Sequence, residues 1–596
     1  MDKEKIVIVP NVQSMETDDG QYTMPDKVRI NFDGIENKFN FFLKNWLNYE
    51  AANSDADITI AYNGSIKSQG YKLTIKDSVT IEYSEECGVL YAFTTLKQII
   101  AGGNGILPQL TIEDWPDIKQ RGLMLDVSRG RMTKIEVIKD IVDWLVGLKY
   151  NQLQLYFDAI IFEYPGFEKT TAGKILYTPN EIKELSDYCT ERFIQLVPNQ
   201  NSFAHMEAWT RQPEFSHLAV TKDDGTKSGT LNPLEKSSID FMDKVYGALL
   251  PSFNAKYINI GCDEAWELGQ GETKSECERL GSGTVYMNYL MKLYALIREK
   301  YNCIPMFWDD IAMHHPELIP QLPKDMIVIE WGYEFDHPFE EHCKILHDLD
   351  LRYYVSPGTG TWNSICGRTV NMAENIRRAA KYAIKYNAEG FLLTDWGDGG
   401  QPQPLACSIP PYVLGAMYSW HVENLEKCGK EAVSSDASYY SNKYIFETKF
   451  NLFGWLLRVG KCCHFEGTRR LNATLLWENF RDCHPQKFAL IKEYAELLAQ
   501  ELKNVKLNCK LGELVLRELQ NVCRLLCVAA DPEAAGDTPE IWKKEYIELW
   551  DMRSKHDPIG YGENTGYMDK YIARVKEMNG NGENVPLGIT DIKWFF

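Results

Sequence analysis

Short apolar runs recur through the middle of this chain, and most are followed by a turn residue and then by an amphipathic, helix-like segment. Eight runs are predicted strands: 121–127, 152–157, 193–198, 257–260, 304–308, 326–331, 352–355 and 390–394. Segments with helical apolar spacing lie at 135–148, 179–192, 237–250, 285–301 and 371–386. Apolar strands that alternate with helices are typical of a parallel sheet covered by helices. Eight units favour a TIM (β/α)8 barrel over a doubly wound sheet, which usually has fewer strands.

The pattern differs on both sides of this region. Residues 71–75 and 79–83 alternate with period two around a short turn, which predicts a hairpin before a helix at 86–100. The helix-period faces at the other end lie at 488–502, 511–528 and 540–553. We therefore expect a small α/β domain at 1–115, a barrel at 116–425 and a mainly α-helical domain at 426–596. The last domain could pack on the barrel, which we favour, or mediate a homodimer.

Composition and charge narrow the classes of partner. The 596 residues carry a formal net charge of −20, which argues against binding to nucleic acid and to anionic membranes. No apolar run of about 20 residues predicts a membrane span. The first five residues lack the apolar segment of a signal peptide, so a cytoplasmic location is expected. The clusters Cys462-Cys463-His464 and Cys523 with Cys527 lack zinc-finger spacing, and we expect no metal and no cofactor.

Polar and aromatic side chains follow the predicted strands, at the edge where a barrel of this kind carries its chemistry. They include Asp158, His205, Asp263, Glu264, Trp308, Trp331, Tyr333, Trp362, Asn363, Trp396 and Asp398. Acids, amides and indoles together suit a neutral, polyhydroxylated ligand. Each aromatic residue could instead cap the barrel core.

The adjacent carboxylates Asp263 and Glu264 stand out because they directly follow a buried strand. Two neighbouring acids repel each other, and a cleft that needs one acid and one carboxylate would use that repulsion. Chance is the alternative, since Asp-Glu pairs are common on surfaces.

Three segments, at 112–117, 121–129 and 260–264, resemble family 20 of the glycoside hydrolases, the β-N-acetylhexosaminidases. Residues 331–333 (Trp-Gly-Tyr) and 394–398 (Thr-Asp-Trp-Gly-Asp) resemble a bacterial branch of that family. The resemblance covers roughly residues 65 to 425. It implies an exo-acting enzyme that removes terminal β-linked GlcNAc or GalNAc from oligosaccharides or glycoconjugates.

The resemblance also implies roles for the two carboxylates. Glu264 would be the general acid, the substrate's acetamido group the nucleophile, and Asp263 the residue that orients this group, with net retention through an oxazolinium ion. Most retaining glycosidases place two carboxyl groups about 5 Å apart across the sugar, and family 20 is a substrate-assisted exception. Neighbouring residues on one strand cannot straddle the anomeric carbon.

Further roles are implied for residues around the pair. His205 and Asp158 would form a relay behind Glu264, or else only a structural hydrogen bond. Arg121 would bind the sugar's 3- and 4-hydroxyl groups, or else form an ion pair inside the barrel mouth. The remaining positions would enclose the sugar and its acetamido group: Trp308, Trp331, Trp362, Trp396 and Asp398.

The chain departs from the family pattern in three places. Cys262 stands where a second Gly is usual, and Asp398 stands where many members carry Glu. The loop after the seventh strand lacks the usual Trp-Tyr pair, so Asn363 or Tyr333 would have to bond the acetamido oxygen.

Two other functions stay open: a retaining glycosidase for sugars without an acetamido group, and a non-catalytic carbohydrate-binding protein. Keeping both Asp263 and Glu264 argues against the latter.

Overall fold

A computed structural model describes residues 6–103, 105–129, 131–362, 364–398, 401–462, 485–530 and 539–555. Three residues named above, Asn363, Cys463 and His464, lie outside the described residues.

Eight parallel strands close into a barrel at the centre of the fold, which confirms the predicted TIM (β/α)8 class. In chain order they are β1 Gln120–Asp126, β2 Gln152–Phe157, β3 Gln195–Gln200, β4 Tyr257–Asn259, β5 Ile304–Trp308, β6 Ile327–Trp331, β7 Arg352–Ser356 and β8 Gly390–Asp395. The barrel closes where β8 pairs in parallel with β1. β3 begins two residues later than predicted, because Phe193 has a left-handed φ of 56° that a strand does not accommodate.

Helices cover the outside of the barrel, and mainly apolar side chains fill its inside. The long barrel helices are Ile135–Gly147, Pro179–Glu191, Lys236–Leu249, Ser282–Lys300, Phe339–Asp348, Thr369–Lys385 and Ile409–Trp420. Shorter elements lie in the connections: the helices Glu168–Thr171, Glu207–Thr210, Lys274–Leu280 and Asp310–His314, and the hairpin strands Ala219–Thr221 and Lys227–Leu231. The interior contains Met124, Val197, Met306, Ile329 and Leu392, and Trp308, Trp362 and Trp396 belong to the same buried cluster. The indoles thus close the packed core at the end where the strands finish.

The N-terminal region is a seven-stranded mixed sheet with one long helix, Glu86–Gly103, packed on it. The strands, in spatial order, are Ser14–Thr23, Ile106–Asp114, Tyr71–Ile75, Val79–Tyr83, Ile58–Tyr62, Val28–Asn31 and Tyr49–Ala51. The predicted hairpin is present, since Tyr71–Ile75 and Val79–Tyr83 pair antiparallel. A fully buried ion pair, Lys149 Nζ to Asp114 Oδ2 at 2.8 Å, joins this sheet to the barrel.

The region after the barrel is helical, as predicted. Its helices are Val422–Cys428, Lys430–Tyr440, Leu452–Val459, Pro485–Leu502, Gly512–Ala530 and Pro539–Arg553. The last helix contacts the barrel, because the Lys134 amide donates to the Arg553 carbonyl and the Arg131 guanidinium lies 4.2 Å above the Trp550 ring. The homodimer and the bounds of the three domains stay predictions. Among the described helices, none is both long enough and apolar enough to cross a lipid bilayer.

Candidate active site

The loop after β4 holds two carboxylates in a constrained conformation. Gly261, Cys262 and Glu264 all have left-handed φ angles, of 69°, 70° and 51°. A Cβ on Gly261 would lie 2.4 Å from the Asn201 amide oxygen, so only glycine fits there. Cys262 accepts a conformation that favours glycine, at a cost on the order of 1–3 kcal/mol. Strain of this kind is typical of functional loops, and here it fixes where Asp263 and Glu264 point.

His205 lies against both carboxylates. Its Nε2 is 3.4 Å from Asp263 Oδ2 and 3.2 Å from Glu264 Oε2. Burial alone would lower the pKa of His205, but Asp263 and then Glu264 outweigh burial and raise that pKa to about 11. His205 is therefore a cation at neutral pH, and it holds the two acids on one side of the cavity.

The predicted relay from Asp158 to His205 is not what the structure contains. The Asp158 carboxylate accepts instead from Arg129, with Nε to Oδ2 at 2.7 Å, and no hydrogen bond joins the described side chains of Asp158 and His205. Asp158 pairs with Arg129, whereas His205 contacts the acid pair.

Arg129, and not Arg121, is the arginine of this region that lines the cavity. It follows the end of β1, and its Nη1 lies 2.6 Å from Asp398 Oδ1 while its Nη2 donates to the Tyr156 hydroxyl at 2.8 Å. The buried Asp126 fixes this turn, because its Oδ1 accepts from the Arg129 amide and its Oδ2 from the Gly397 amide. The ends of β1, β2 and β8 therefore meet at one guanidinium.

Arg121 lies at the opposite end of β1, so the expectation that it binds the sugar is wrong. Its side chain is buried and donates to the Lys149 carbonyl at 3.0 Å, to the Ile118 carbonyl at 2.8 Å and to the Tyr91 hydroxyl at 3.1 Å. A strand rises about 3.3 Å per residue, so the part of β1 after Arg121 separates it from Arg129 by most of the barrel height. Arg121 contributes to the contact with the N-terminal domain.

Aromatic side chains form one wall of a cavity of about 780 Å³ above the strands. Tyr333 stacks on Trp331 with ring centroids 5.0 Å apart and meets Trp362 edge-on at the same distance. Trp308 and Trp396 pack against each other at 5.7 Å. The cavity is within the size range of small-molecule sites, and flat apolar faces beside carboxylates suit a sugar ring. Of the two candidates for the acetamido oxygen, only Tyr333 is described, and it lines the cavity.

A second acidic pair supports the first from β5. The Glu264 amide donates to Asp310 Oδ2 at 2.9 Å. Burial, and then the nearby Asp263 carboxylate, raise the pKa of Asp310 to about 7. Asp310 thus anchors the backbone of Glu264. No role was assigned to Asp310 from the sequence, although its position after a strand was a signal for one.

One cluster on the cavity wall was not expected from the sequence. The buried Glu330, at the end of β6, accepts from His337 Nε2 at 2.6 Å and approaches His342 Nδ1 at 3.0 Å. The two imidazoles line the same cavity as the acid pair.

The mouth of the cavity has an exposed indole. Trp266 is 55% exposed, its amide donates to the Glu264 carbonyl at 2.7 Å, and its ring lies 5.6 Å from that of His314, which lines the cavity. Trp266 thus presents an exposed, flat ring beside a residue of the cavity lining, two positions after Glu264.

Comparison with known families identifies the two N-terminal parts of the chain. Residues 119–388 match the model "Glycosyl hydrolase family 20, catalytic domain", and residues 5–115 match "Glycosyl hydrolase family 20, domain 2". Together these matches span more than half of the chain.

Curated relatives match over shorter stretches. Hexosaminidase D of Homo sapiens is 26% identical over 229 residues, which are 37% of this chain and 45% of that protein. Hexosaminidase D of Bos taurus is 24% identical over 245 residues, 39% of this chain and 68% of that protein. The matched part thus spans about half the length of the human relative.

Solved structures share the fold. The β-N-acetylhexosaminidase from Bacteroides fragilis has a TM-score of 0.61 at 18% identity, with 74% of this chain and 95% of that chain covered. The Flavobacterium johnsoniae chitobiase has a TM-score of 0.59 at 18% identity, and the match covers 93% of this chain and 100% of that chain.

Proposed function

Because this chain belongs to glycosyl hydrolase family 20, we propose that it is an exo-acting β-N-acetylhexosaminidase. Its substrates would be oligosaccharides or glycoconjugates that end in β-linked GlcNAc or GalNAc. The observation that carries the proposal is the adjacent pair Asp263 and Glu264, held by one protonated His205 at the mouth end of the barrel.

Glu264 acts as the general acid. Its side chain is the more exposed of the pair, at 42% against 10% for Asp263, so it is the one that reaches the glycosidic oxygen. In the first step Glu264 gives its proton to that oxygen while the bond to the anomeric carbon breaks. A general acid of this kind accelerates cleavage about 10²–10⁴-fold.

The nucleophile comes from the substrate. Asp263 and Glu264 are neighbours on the same side of the cavity, so they do not face each other across the sugar as acid and nucleophile. The carbonyl oxygen of the 2-acetamido group attacks the anomeric carbon instead, which gives an oxazolinium ion and gains the high effective molarity of an internal reaction. Asp263 accepts from the acetamido N–H and stabilises the positive charge that develops there.

The second step restores Glu264. Water gives a proton to the Glu264 carboxylate and attacks the anomeric carbon, which opens the oxazolinium ring and releases the sugar. Two inversions at one carbon produce net retention. In this scheme the Tyr333 hydroxyl, beside Trp331 on the aromatic wall, donates a hydrogen bond to the acetamido oxygen.

The floor of the cavity binds the sugar hydroxyls. Arg129 is fixed by Asp158 and Asp398, and the Arg129–Asp398 ion pair joins the ends of β1 and β8 across one side. A cavity closed on that side accommodates one terminal sugar, which supports exo action. The leaving group then lies on the open side, along the exposed indole of Trp266.

A panel of aryl β-glycosides tests the proposal. We expect release of the aryl group from N-acetylglucosaminide or N-acetylgalactosaminide and none from the matched glucoside, galactoside and mannoside. A thiazoline that mimics the oxazoline should inhibit strongly, and NMR should show the β-anomer as the first product. Turnover of the glucoside at a comparable rate would reject the acetamido mechanism. Sugar binding without turnover at any pH would reject the enzyme.

A further inference from the structure

Glu330, His337 and His342 form a compact cluster that the proposed hydrolysis does not use. Glu330 Oε1 lies 2.6 Å from His337 Nε2 and 3.0 Å from His342 Nδ1. Glu330 is the second-last residue of β6 and is fully buried, while the two imidazoles are 18% and 25% exposed on the cavity wall. All three ligand-type atoms lie within 4.8 Å of one another.

The cluster contains buried carboxyl oxygens that no hydrogen bond satisfies. Glu330 Oε2 and Asp309 Oδ2 are buried atoms without a hydrogen-bond partner. Asp309 is adjacent, because its amide donates to the carbonyl of Ile329, the residue before Glu330. Within the described residues no Lys or Arg side chain forms an ion pair with either carboxylate. Buried carboxylates normally pair with a cation or coordinate a metal.

We propose that Glu330, His337 and His342 bind one divalent transition-metal ion, of which Zn²⁺ is the reference case. Two imidazoles and one carboxylate are a common zinc donor set, with metal–ligand distances of about 2.0–2.2 Å. In a tetrahedral site, ligand atoms at those distances are about 3.4 Å apart, so the 2.6 Å and 3.0 Å separations in the cluster would open by less than about 1 Å on binding. The unpartnered Asp309 carboxyl group lies beside this site.

The site would tie the loop after β6 to the barrel. His337 lies in the loop between β6 and the next helix, and the same loop contains Tyr333. His342 lies on that helix, Phe339–Asp348. A bound ion would fix the position of Tyr333 and Trp331 on the cavity wall without touching the reacting sugar. The ion is thus proposed as a positioning element, and its binding is independent of the proposed hydrolase activity.

Metal binding by the purified, full-length chain tests this inference directly. The protein is stripped with EDTA, freed of chelator and titrated calorimetrically with ZnCl2, and its melting temperature is followed over the same concentrations. We expect one equivalent of tight binding and a melting temperature that rises with Zn²⁺, because an ion that binds only the folded state stabilises it.

Two sets of variants locate the site. His337→Gln/His342→Gln and, separately, Glu330→Gln should weaken Zn²⁺ binding by more than about tenfold. Glu264→Gln is the matched control, since His205, Asp263 and Glu264 form the other group that could hold an ion within the described residues. It should leave the tight equivalent unchanged.

Three results would overturn the proposal. One is no binding by the wild-type chain at micromolar Zn²⁺, in which case the cluster is only hydrogen-bonded. Another is unchanged binding in both Glu330→Gln and the double histidine variant. The third is loss of the tight equivalent in Glu264→Gln alone, which would assign the ion to the acid pair. Circular dichroism of each variant distinguishes lost ligands from lost folding.

Discussion

Nε2 of His205 lies 3.2 Å from Oε2 of Glu264, and this contact joins the cation to the more exposed of the two acids. The same nitrogen lies 3.4 Å from Asp263 Oδ2, so one imidazolium serves both carboxylates. The positive charge of His205 therefore contributes to the folding stability of the protein as well as to the chemistry of the site.

His205 should make folding stability depend on pH in the neutral to alkaline range. Its pKa rises from 6.5 to about 11 on folding, so the folded state binds an extra proton between these values. The stabilisation is complete below about pH 6.5 and is lost as pH rises toward 11. We expect the difference in unfolding free energy between wild type and His205→Gln to shrink with a slope of at most about 1.4 kcal/mol per pH unit, reduced by solvent at Glu264.

Urea unfolding of both proteins between pH 6 and pH 9.5 measures that slope. A difference that stays constant over this range, or grows with pH, would contradict a protonated His205.

Glu264→Gln should lose more activity on substrates with a basic leaving group than on substrates with an acidic one, because a basic leaving group departs only after protonation. We expect turnover of a GlcNAc disaccharide to fall about 10²–10⁴-fold, while an aryl glycoside with an acidic phenol loses far less. Measurement of kcat/KM against leaving-group pKa gives the comparison. Glu267→Gln, three residues along the same loop and bonded to Thr230, is the control and should behave as wild type. Equal losses on both substrates would remove Glu264 from the acid role.

Asp263→Asn should damage the acetamido step and leave the fold intact. The asparagine is isosteric but neutral, so it cannot stabilise the positive charge of the oxazolinium ion. We expect kcat to fall by about 10²-fold or more, in the range of a lost transition-state contact, with a parallel loss of thiazoline binding. Rates on aryl N-acetylglucosaminide and the inhibition constant are the measurements. A variant with near-normal kcat would reject this assignment.

The two arginines near β1 give a paired test, because they have the same side chain at opposite ends of one strand. Arg129→Lys should lower kcat/KM by about 10- to 100-fold, since a lysine cannot span Asp158 and Asp398 together. Arg121→Lys should leave kcat/KM close to normal but lower the unfolding free energy by about 1–3 kcal/mol, because its buried partners lose their donors.

Kinetics and denaturant unfolding of both variants separate the roles. If Arg121→Lys loses kcat/KM at full stability, the sugar contact belongs to Arg121 after all.

The sequence predicted the fold class because eight apolar runs with regular helical spacers have few other solutions. It predicted most of the cavity for a related reason: residues after parallel strands share one edge, as Asp263, Trp308 and Trp396 do. Arg121 was misplaced because it lies at the start of its strand and so at the other edge of the barrel. Arg129, after the strand, carried the signal that would have corrected this.

Other parts of the site depend on contacts that no local pattern encodes. The separation of Asp158 from His205 follows from Arg129, which competes for the same carboxylate. Glu330, His337 and His342 are spaced unlike any common metal motif, and only the turn between β6 and the following helix brings them together. Side chains from different loops meet according to the path of those loops, which periodicity does not determine.

Trp266 should distinguish natural from artificial leaving groups. The Trp266 indole is 55% exposed and lies two residues after the general acid, so it can stack on a leaving sugar. A small phenol would leave most of the indole surface uncovered. We expect Trp266→Ala to raise KM for a GlcNAc disaccharide about fivefold, equivalent to about 1 kcal/mol, and to change KM for the aryl glycoside little. Trp266→Phe should retain part of the effect because it keeps a flat ring. Equal changes in KM on both substrates would show that Trp266 supports the Glu264 loop rather than the leaving sugar.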